Sequence, residues 1–152
     1  RKLRITMYCR IRLKDSNYQE VSNYQLLGSS SYDRCIEIYR KYCDYKKFKS
    51  VSPIFREEFE WDKCDRIGYY DGNELVAFTL AYRFDSVKSV YGDQFAWDYK
   101  NPKLGLGHIA NKNECALYKR LGYDYYYLGE SSSYKEKLQG YEVSDFFKTW
   151  QD

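Results

Sequence analysis

Histidine is nearly missing from this sequence, with His108 standing alone, and no two of the five cysteines have Cys-x-x-Cys spacing. Cys9, Cys35, Cys43, Cys64 and Cys115 are odd in number, so neither a disulfide framework nor a zinc site is suggested. Reduced thiols and a cytoplasmic location are expected, with no metal. No apolar run approaches the about 18 residues that a membrane span needs, and no segment reads as a signal-peptide core. Neither membrane insertion nor secretion is therefore expected. Internal repeats, low-complexity tracts and linkers are absent too, so the 152 residues are expected to form one domain, 1–152. The chain starts at Arg1 without a methionine, as a trimmed chain would.

Aromatic residues are abundant: 19 Tyr, 8 Phe and 3 Trp. Tyrosine buries a ring while keeping its hydroxyl wet or hydrogen-bonded, so many are expected at the edge of the core and some along a groove. The net charge of +3 does not by itself imply a nucleic-acid partner.

Residues 2–14 alternate. Leu3, Ile5, Met7, Cys9, Ile11 and Leu13 face one way, and Lys2, Arg4, Tyr8, Arg10, Arg12 and Lys14 the other. Period two over this length predicts a strand with one buried face and one basic face. Residues 16–27 read as weakly helical, ending at Gly28. Ser30 and Asp33 have capping-box spacing ahead of a helix over 32–45, where Tyr32, Cys35, Ile36, Tyr39, Tyr42 and Cys43 recur at helical intervals. Residues 50–63 read as irregular. Strands are predicted at 66–70, from Glu74 to Phe84, and through Val90, Phe95, Trp97 and Tyr99, with the first two joined by the Asp71-Gly72-Asn73 turn. The period then changes to 3.6 over 104–122, where Leu106, Ile109, Ala110, Asn113, Leu117 and Leu121 share a face and Gly122 is the stop. A strand over 123–128, a short helix over 132–139 and a last strand over 141–149 complete the reading.

The segment that carries chemistry is Lys103-Leu104-Gly105-Leu106-Gly107-His108, set between a strand and a helix. A Gly-x-Gly turn that opens a helix bares backbone N–H groups in front of the positive end of the helix dipole, and glycine lets a phosphate approach closely. Pyrophosphate or another anion fits such a turn. The same glycines would also serve a turn that only relieves crowding.

The element order and the run Pro102-Lys103-Leu104-Gly105-Leu106-Gly107 resemble the GNAT acyltransferases, whose phosphate motif is Arg/Gln-x-x-Gly-x-Gly/Ala. Both glycines match and the first position does not. Ala116-Leu117-Tyr118-Lys119-Arg120-Leu121-Gly122-Tyr123 resembles the end of that family's central helix. The resemblance implies an α+β fold with a central mixed, mostly antiparallel sheet flanked by helices. It also implies an enzyme that transfers an acyl group from acetyl-CoA or another acyl-CoA to an amine acceptor. On that likeness Phe95, Ala96 and Trp97 hold the pantetheine arm, and Lys103, Leu104, Gly105, Leu106, Gly107, His108 and Lys112 lie at the phosphates. A narrower likeness, covering about the last half of the chain, is to arginyl- and leucyl-tRNA–protein transferases. It rests on Asp71-Gly72, Leu75-Val76-Ala77, Ser89-Val90-Tyr91, Leu104 to Gly107, Tyr125 to Gly129, Tyr134-Lys135 and Tyr141. It implies aminoacyl-tRNA as the alternative donor.

Transfer to an amine requires a group that takes the amine's proton and one that protonates the leaving group. Asp98, at the end of the strand before the Gly-x-Gly turn, is the candidate base, with Asp93 and Glu130 behind it. Tyr134 is the candidate acid, since a tyrosine in that region of GNAT enzymes often protonates the leaving thiolate. Each also reads as a structural or solvated side chain. The basic face of 2–14, with Lys46, Lys47 and Lys49, is the surface that would meet tRNA or modified DNA. A non-catalytic nucleic-acid-binding module is the reading from a different class.

Overall fold

In the computed structural model, which describes residues 2–5, 8–98, 105–130, 132–144 and 148–151, the alternating N-terminal segment forms two strands, β1 (Lys2–Ile5) and β2 (Tyr8–Arg12). The alternation holds in β2: Cys9, Ile11 and the following Leu13 are fully buried, Tyr8, Arg10 and Arg12 are half-buried, and Lys14 is exposed.

The helix expected over 16–27 does not form. Leu13–Asp15 is a 3-10 turn that Ser16 closes by donating its hydroxyl to the Leu13 carbonyl at 2.8 Å. Further on, β3 (Tyr24–Leu26) pairs with a neighbouring strand, and Asn23 donates its side-chain amide to the Tyr70 carbonyl at 2.9 Å. Serine and asparagine side chains that bond to backbone stabilise non-helical conformations, which overrides a weak helical pattern. The Ser30–Asp33 capping box also does not form, because Ser29–Ser31 is itself a 3-10 turn in which the Ser31 hydroxyl donates to the Gly28 carbonyl.

The helix expected over 32–45 is α1 (Tyr32–Lys46), and the segment read as irregular contains α2 (Arg56–Glu60). The meander follows as β4 (Cys64–Asp71), β5 (Glu74–Phe84) and β6 (Ser89–Trp97). Then come α3 (Leu106–Arg120), β7 (Tyr125–Glu130), β8 (Tyr141–Ser144) and β9 (Lys148–Gln151). Only a 3-10 turn, Lys135–Lys137, stands where the short helix was expected. The last strand is two strands, and Tyr99 lies outside the described residues.

Seven strands form one sheet in the order β3-β4-β5-β6-β7-β2-β8, and β1 pairs with β9 in a separate two-stranded sheet. The β3–β4, β4–β5, β7–β2 and β2–β8 pairs are antiparallel, whereas β6 and β7 run parallel. This is an α+β fold with a mixed, mostly antiparallel sheet and helices. No helix among the described residues is long and apolar enough to cross a membrane.

Contacts gather the chain into two units. The first comprises 1–20, 84–92 and 112–152, with Cys9, Ile11, Val90, Cys115, Leu117, Tyr118, Tyr126, Tyr127 and Leu138 in its buried interior. The second comprises 21–83 and 93–111. Its core joins Cys35 and Ile38 of α1, Phe59 of α2, Cys64 of β4, Leu75, Phe78 and Leu80 of β5, and Ala96 of β6. All five cysteines are buried and none is paired with another.

Helix α3 ends as its sequence predicts. Gly122 takes φ +92°, its N–H donates to the Lys119 carbonyl, and Tyr123 N–H donates to the Tyr118 carbonyl at 3.0 Å. That is the glycine-terminated stop in which the residue after the glycine also packs back on the helix, here Tyr123 edge-on to Tyr118 at 5.6 Å.

Pairing between β6 and β7 covers only Ser89–Tyr91 against Tyr125–Tyr127, and β6 continues to Trp97 without it. The next residue is Gly92. A Cβ built there would sit 2.5 Å from Tyr126 Oη, so the tyrosine ring occupies the space a side chain would need. Tyr126 is fully buried and donates its hydroxyl to the buried Glu114 carboxylate of α3. Gly92→Ala is expected to destabilise the fold by about 1–3 kcal/mol, as overpacking does, seen as a lower midpoint in thermal unfolding. An unchanged or raised midpoint would show that Tyr126 yields freely.

Candidate active site

The described part of the Gly-x-Gly turn belongs to the second unit. Gly105 takes φ +64°, a left-handed conformation that glycine adopts without penalty, and a Cβ there would meet none of the described residues within 4 Å. The first internal bond of α3 runs from Ile109 N–H to the Gly105 carbonyl, at 3.2 Å. The N–H groups of the first turn therefore precede the helix's own ladder and face forward. Leu106 and Gly107 are half-buried and His108 is exposed. Among the described residues, a Cβ on Gly107 would touch Phe95 Cε1, at 3.8 Å, which brings the helix start next to β6. Lys103 and Leu104 lie outside the described residues. Lys112 belongs to the first unit, where its Nζ lies 5.7 Å from the Tyr18 ring.

Along β6, Ala96 is fully buried in the core of the second unit, while Phe95 and Trp97 are half-buried. Trp97 is held by two α1 rings, Tyr42 at 6.0 Å and Tyr45 at 5.2 Å. The strand is fixed at its end by Asp98 N–H, which donates to the Val76 carbonyl at 2.6 Å.

The Asp98 carboxylate is engaged by cations of α1: Lys41 Nζ at 3.1 Å and Arg34 at 3.6 Å. Arg34 also meets Glu37 at 3.3 Å and Glu74 at 3.6 Å, and Lys41 meets Glu37 at 3.3 Å. The bond to Asp98, with Glu37 adding to it, holds the Lys41 ammonium above its ordinary pKa. Asp98 thus ties α1 to the end of β6.

Asp93 sits differently. It follows Gly92 and shares its surroundings with Glu58 of α2, Tyr39 of α1, Tyr82 of β5 and Cys64 of β4. Its outer face is wet, yet the protein around it removes enough water to raise the carboxyl above its ordinary pKa, and the Glu58 charge pushes the same way. Tyr39 is pushed up to about 12, first by burial and then by Cys43 and Asp93. The Tyr82 phenol is raised chiefly by burial, and its hydroxyl meets Glu58 Oε2 at 3.4 Å. The sequence carried one sign of this place: a glycine inside a strand marks a close approach, and Gly92-Asp93 is such a position.

Tyr134 belongs to the first unit, is 39% exposed, and precedes the Lys135–Lys137 turn, with Lys135 Nζ 5.8 Å from its ring. Two described members of the basic face, Arg10 and Arg12, are paired with carboxylates. Arg10 bonds Glu142 at 2.7 Å and the Tyr127 hydroxyl at 2.8 Å, and Arg12 meets Glu142 at 3.0 Å and Asp15 at 3.9 Å.

No family model and no curated protein matches the chain. Solved structures do. A C-terminal domain from Agrobacterium fabrum, assigned to the lysylphosphatidylglycerol synthetases, superposes with TM-score 0.68 at 9% identity, over 85% of this chain and 48% of that one. A GNAT-family protein from Novosphingobium aromaticivorans superposes with TM-score 0.65 at 11% identity, over 94% and 61%. The chain has the GNAT-like fold. The N-myristoyltransferase of Saccharomyces cerevisiae, with bound myristoyl-CoA, shares it at TM-score 0.54 and 14% identity, over 72% and 32%. The chain spans about half the length of the lysylphosphatidylglycerol synthetase neighbour.

The raised Asp93 carboxyl yields a prediction about this GNAT-like chain. A carboxyl whose folded pKa exceeds its unfolded one stabilises the fold only while protonated, and that stability is lost as pH rises through the folded value. Asp93→Asn is therefore expected to raise the unfolding midpoint at about pH 7, with the gain shrinking below about pH 4. A midpoint at neutral pH equal to or below that of the native chain would show that Asp93 is not strained.

Proposed function

We propose that the protein is an N-acyltransferase that moves an acyl group from an acyl-CoA thioester directly to an amine, with 1–152 acting as one catalytic domain. The observation that carries this reading is Gly105 at φ +64°, opening α3 with Gly107 just behind it. A diphosphate would accept hydrogen bonds from the first-turn N–H groups, with the helix dipole favouring its charge. The pantetheine arm would lie along Phe95–Trp97, where β6 continues beyond its pairing with β7. The myristoyl-CoA held by the N-myristoyltransferase neighbour is in keeping with such a donor.

Of Asp93, midway along β6, and Asp98, just past its end, Asp93 fits the proton acceptor better. Asp98 is committed to Lys41 and Arg34, whereas Asp93 has an increased affinity for a proton. A base works best when its pKa approaches the working pH. In the proposed step the amine nitrogen bonds to the thioester carbonyl carbon and gives its proton to Asp93. The C–S bond then breaks, and the leaving thiolate takes a proton from water.

Aminoacyl-tRNA is the alternative donor. The pairing of Arg10 and Arg12 with Glu142 leaves the described part of the basic face poorly suited to a polyanion and favours the smaller donor. Calorimetric titration with acetyl-CoA is expected to give saturable binding that Gly107→Val weakens at least about tenfold, because the branched side chain blocks close phosphate approach. The unfolding midpoint should move little, given the ordinary contact that a Cβ makes there. Binding of aminoacyl-tRNA with none of acetyl-CoA would replace this reading by the alternative. Equal affinity in Gly107→Val would remove the phosphates from the turn.

A further inference from the structure

The first unit has a cavity of about 440 Å³ that the proposed transfer does not use. It lies where β2, the turn after it, the end of α3 and the start of β7 come together. It is lined by Arg12, Lys14, Lys119, Gly122, Tyr123, Asp124 and Tyr125. Its size is that of a small-molecule site, and its walls combine cations, phenol rings and one carboxylate.

The charges are not equivalent. Arg12 is shared between Glu142 and Asp15, so its charge is largely spent. Lys119 is fixed by a bond from its ammonium to the Ser16 carbonyl at 2.5 Å. A neutral acceptor orients that ammonium without cancelling its charge, and two of its protons remain for a ligand. Lys14 is exposed on the lip and makes no ion pair with a carboxylate among the described residues. The end of α3 would repel an anion if its carbonyls were bare. Here the Leu117, Tyr118 and Lys119 carbonyls accept from Leu121, Tyr123 and Gly122, which blunts that repulsion.

The rings and the carboxylate narrow the class. Tyr125 carries the Arg10 guanidinium on its ring at 3.8 Å, and Tyr123 is held by its hydroxyl bond to Asp85 at 2.6 Å. Both rings are therefore fixed walls against which a planar group can lie at little ordering cost. Asp124 supplies an acceptor for an amino group on such a ring.

We propose that this cavity binds a phosphate ester carrying an amino-substituted planar ring, of purine mononucleotide size. The phosphate sits on Lys14 and Lys119, the ring lies against Tyr123 and Tyr125, and Asp124 accepts from the ring's amino group. The site is independent of the proposed donor site, since its residues belong to the first unit and Gly105–His108 to the second.

Calorimetry with AMP, adenosine and inorganic phosphate tests it, on the native chain and on Gly107→Val, which removes the α3 N-terminus as a competing phosphate site. In both chains AMP is expected to bind at least tenfold more tightly than either fragment. Lys14→Ala should weaken AMP about fivefold or more and Lys14→Glu should abolish it, while Lys137→Ala leaves it unchanged. Lys14 is exposed, so these variants should fold, and unfolding midpoints check that. The proposal is overturned by no saturable AMP binding, by AMP affinity unchanged in Lys14→Ala, or by AMP binding that Gly107→Val removes. Phosphate or adenosine matching AMP overturns it as well. Acetyl-CoA binding lost in Gly107→Val with AMP binding intact supports both sites, and absence of acetyl-CoA binding leaves this test unaffected.

Discussion

The Tyr126–Glu114 hydrogen bond sets the shape of the sheet. Both groups are buried, and a carboxylate without a partner at that depth would be costly, so the phenol is not free to turn away. Burial and the adjoining carboxylate push the phenol's pKa well above its ordinary value, so it remains a donor. Its ring in turn fills the place of any side chain at the next position of β6, which must be Gly92. The β6–β7 pairing ends one residue earlier, at Tyr91. The stretch of β6 from Asp93 to Trp97 is released from β7 and supplies the candidate proton acceptor and the candidate donor contacts. One buried bond to α3 thus accounts for the glycine that follows the last β6–β7 pair.

The same use of tyrosine recurs elsewhere and explains its abundance. Tyr69 is buried and bonds the Ala110 carbonyl of α3 at 3.2 Å. Tyr32 bonds the Ile54 carbonyl at 2.7 Å and Tyr39 the Ser52 carbonyl at 2.8 Å, tying α1 to the segment ahead of α2. Each ring contributes apolar burial while its hydroxyl satisfies a backbone acceptor that a loop or helix leaves over. Leucine at Tyr32 or Tyr39 would bury its area but remove the hydroxyl that the Ile54 or Ser52 carbonyl accepts from.

Legibility followed the strength of local signals. The alternation of β2, the stripe of α1, the Asp71–Asn73 hairpin and the Gly122 stop were all readable, because each rests on contacts within one element or one turn. The segment 16–27 was misread, because its conformation is fixed by bonds to residues about fifty positions away, such as Asn23 to Tyr70. At the site, the Gly105–Gly107 turn announced itself through glycine. The distinction between Asp93 and Asp98 did not, since it depends on Lys41, Arg34 and Glu58, which arrive from α1 and α2 through the fold.

That distinction is also a division of labour in electrostatics. A carboxylate paired with two cations, as Asp98 is with Lys41 and Arg34, is a strut between its strand and α1. A carboxyl that has lost part of its water and faces another acid holds its proton more tightly, at a cost to the fold. Five residues apart, one midway along β6 and one just past its end, the two acids have the same side chain. The helices packed against the strand give one of them two cationic partners and the other an acidic neighbour.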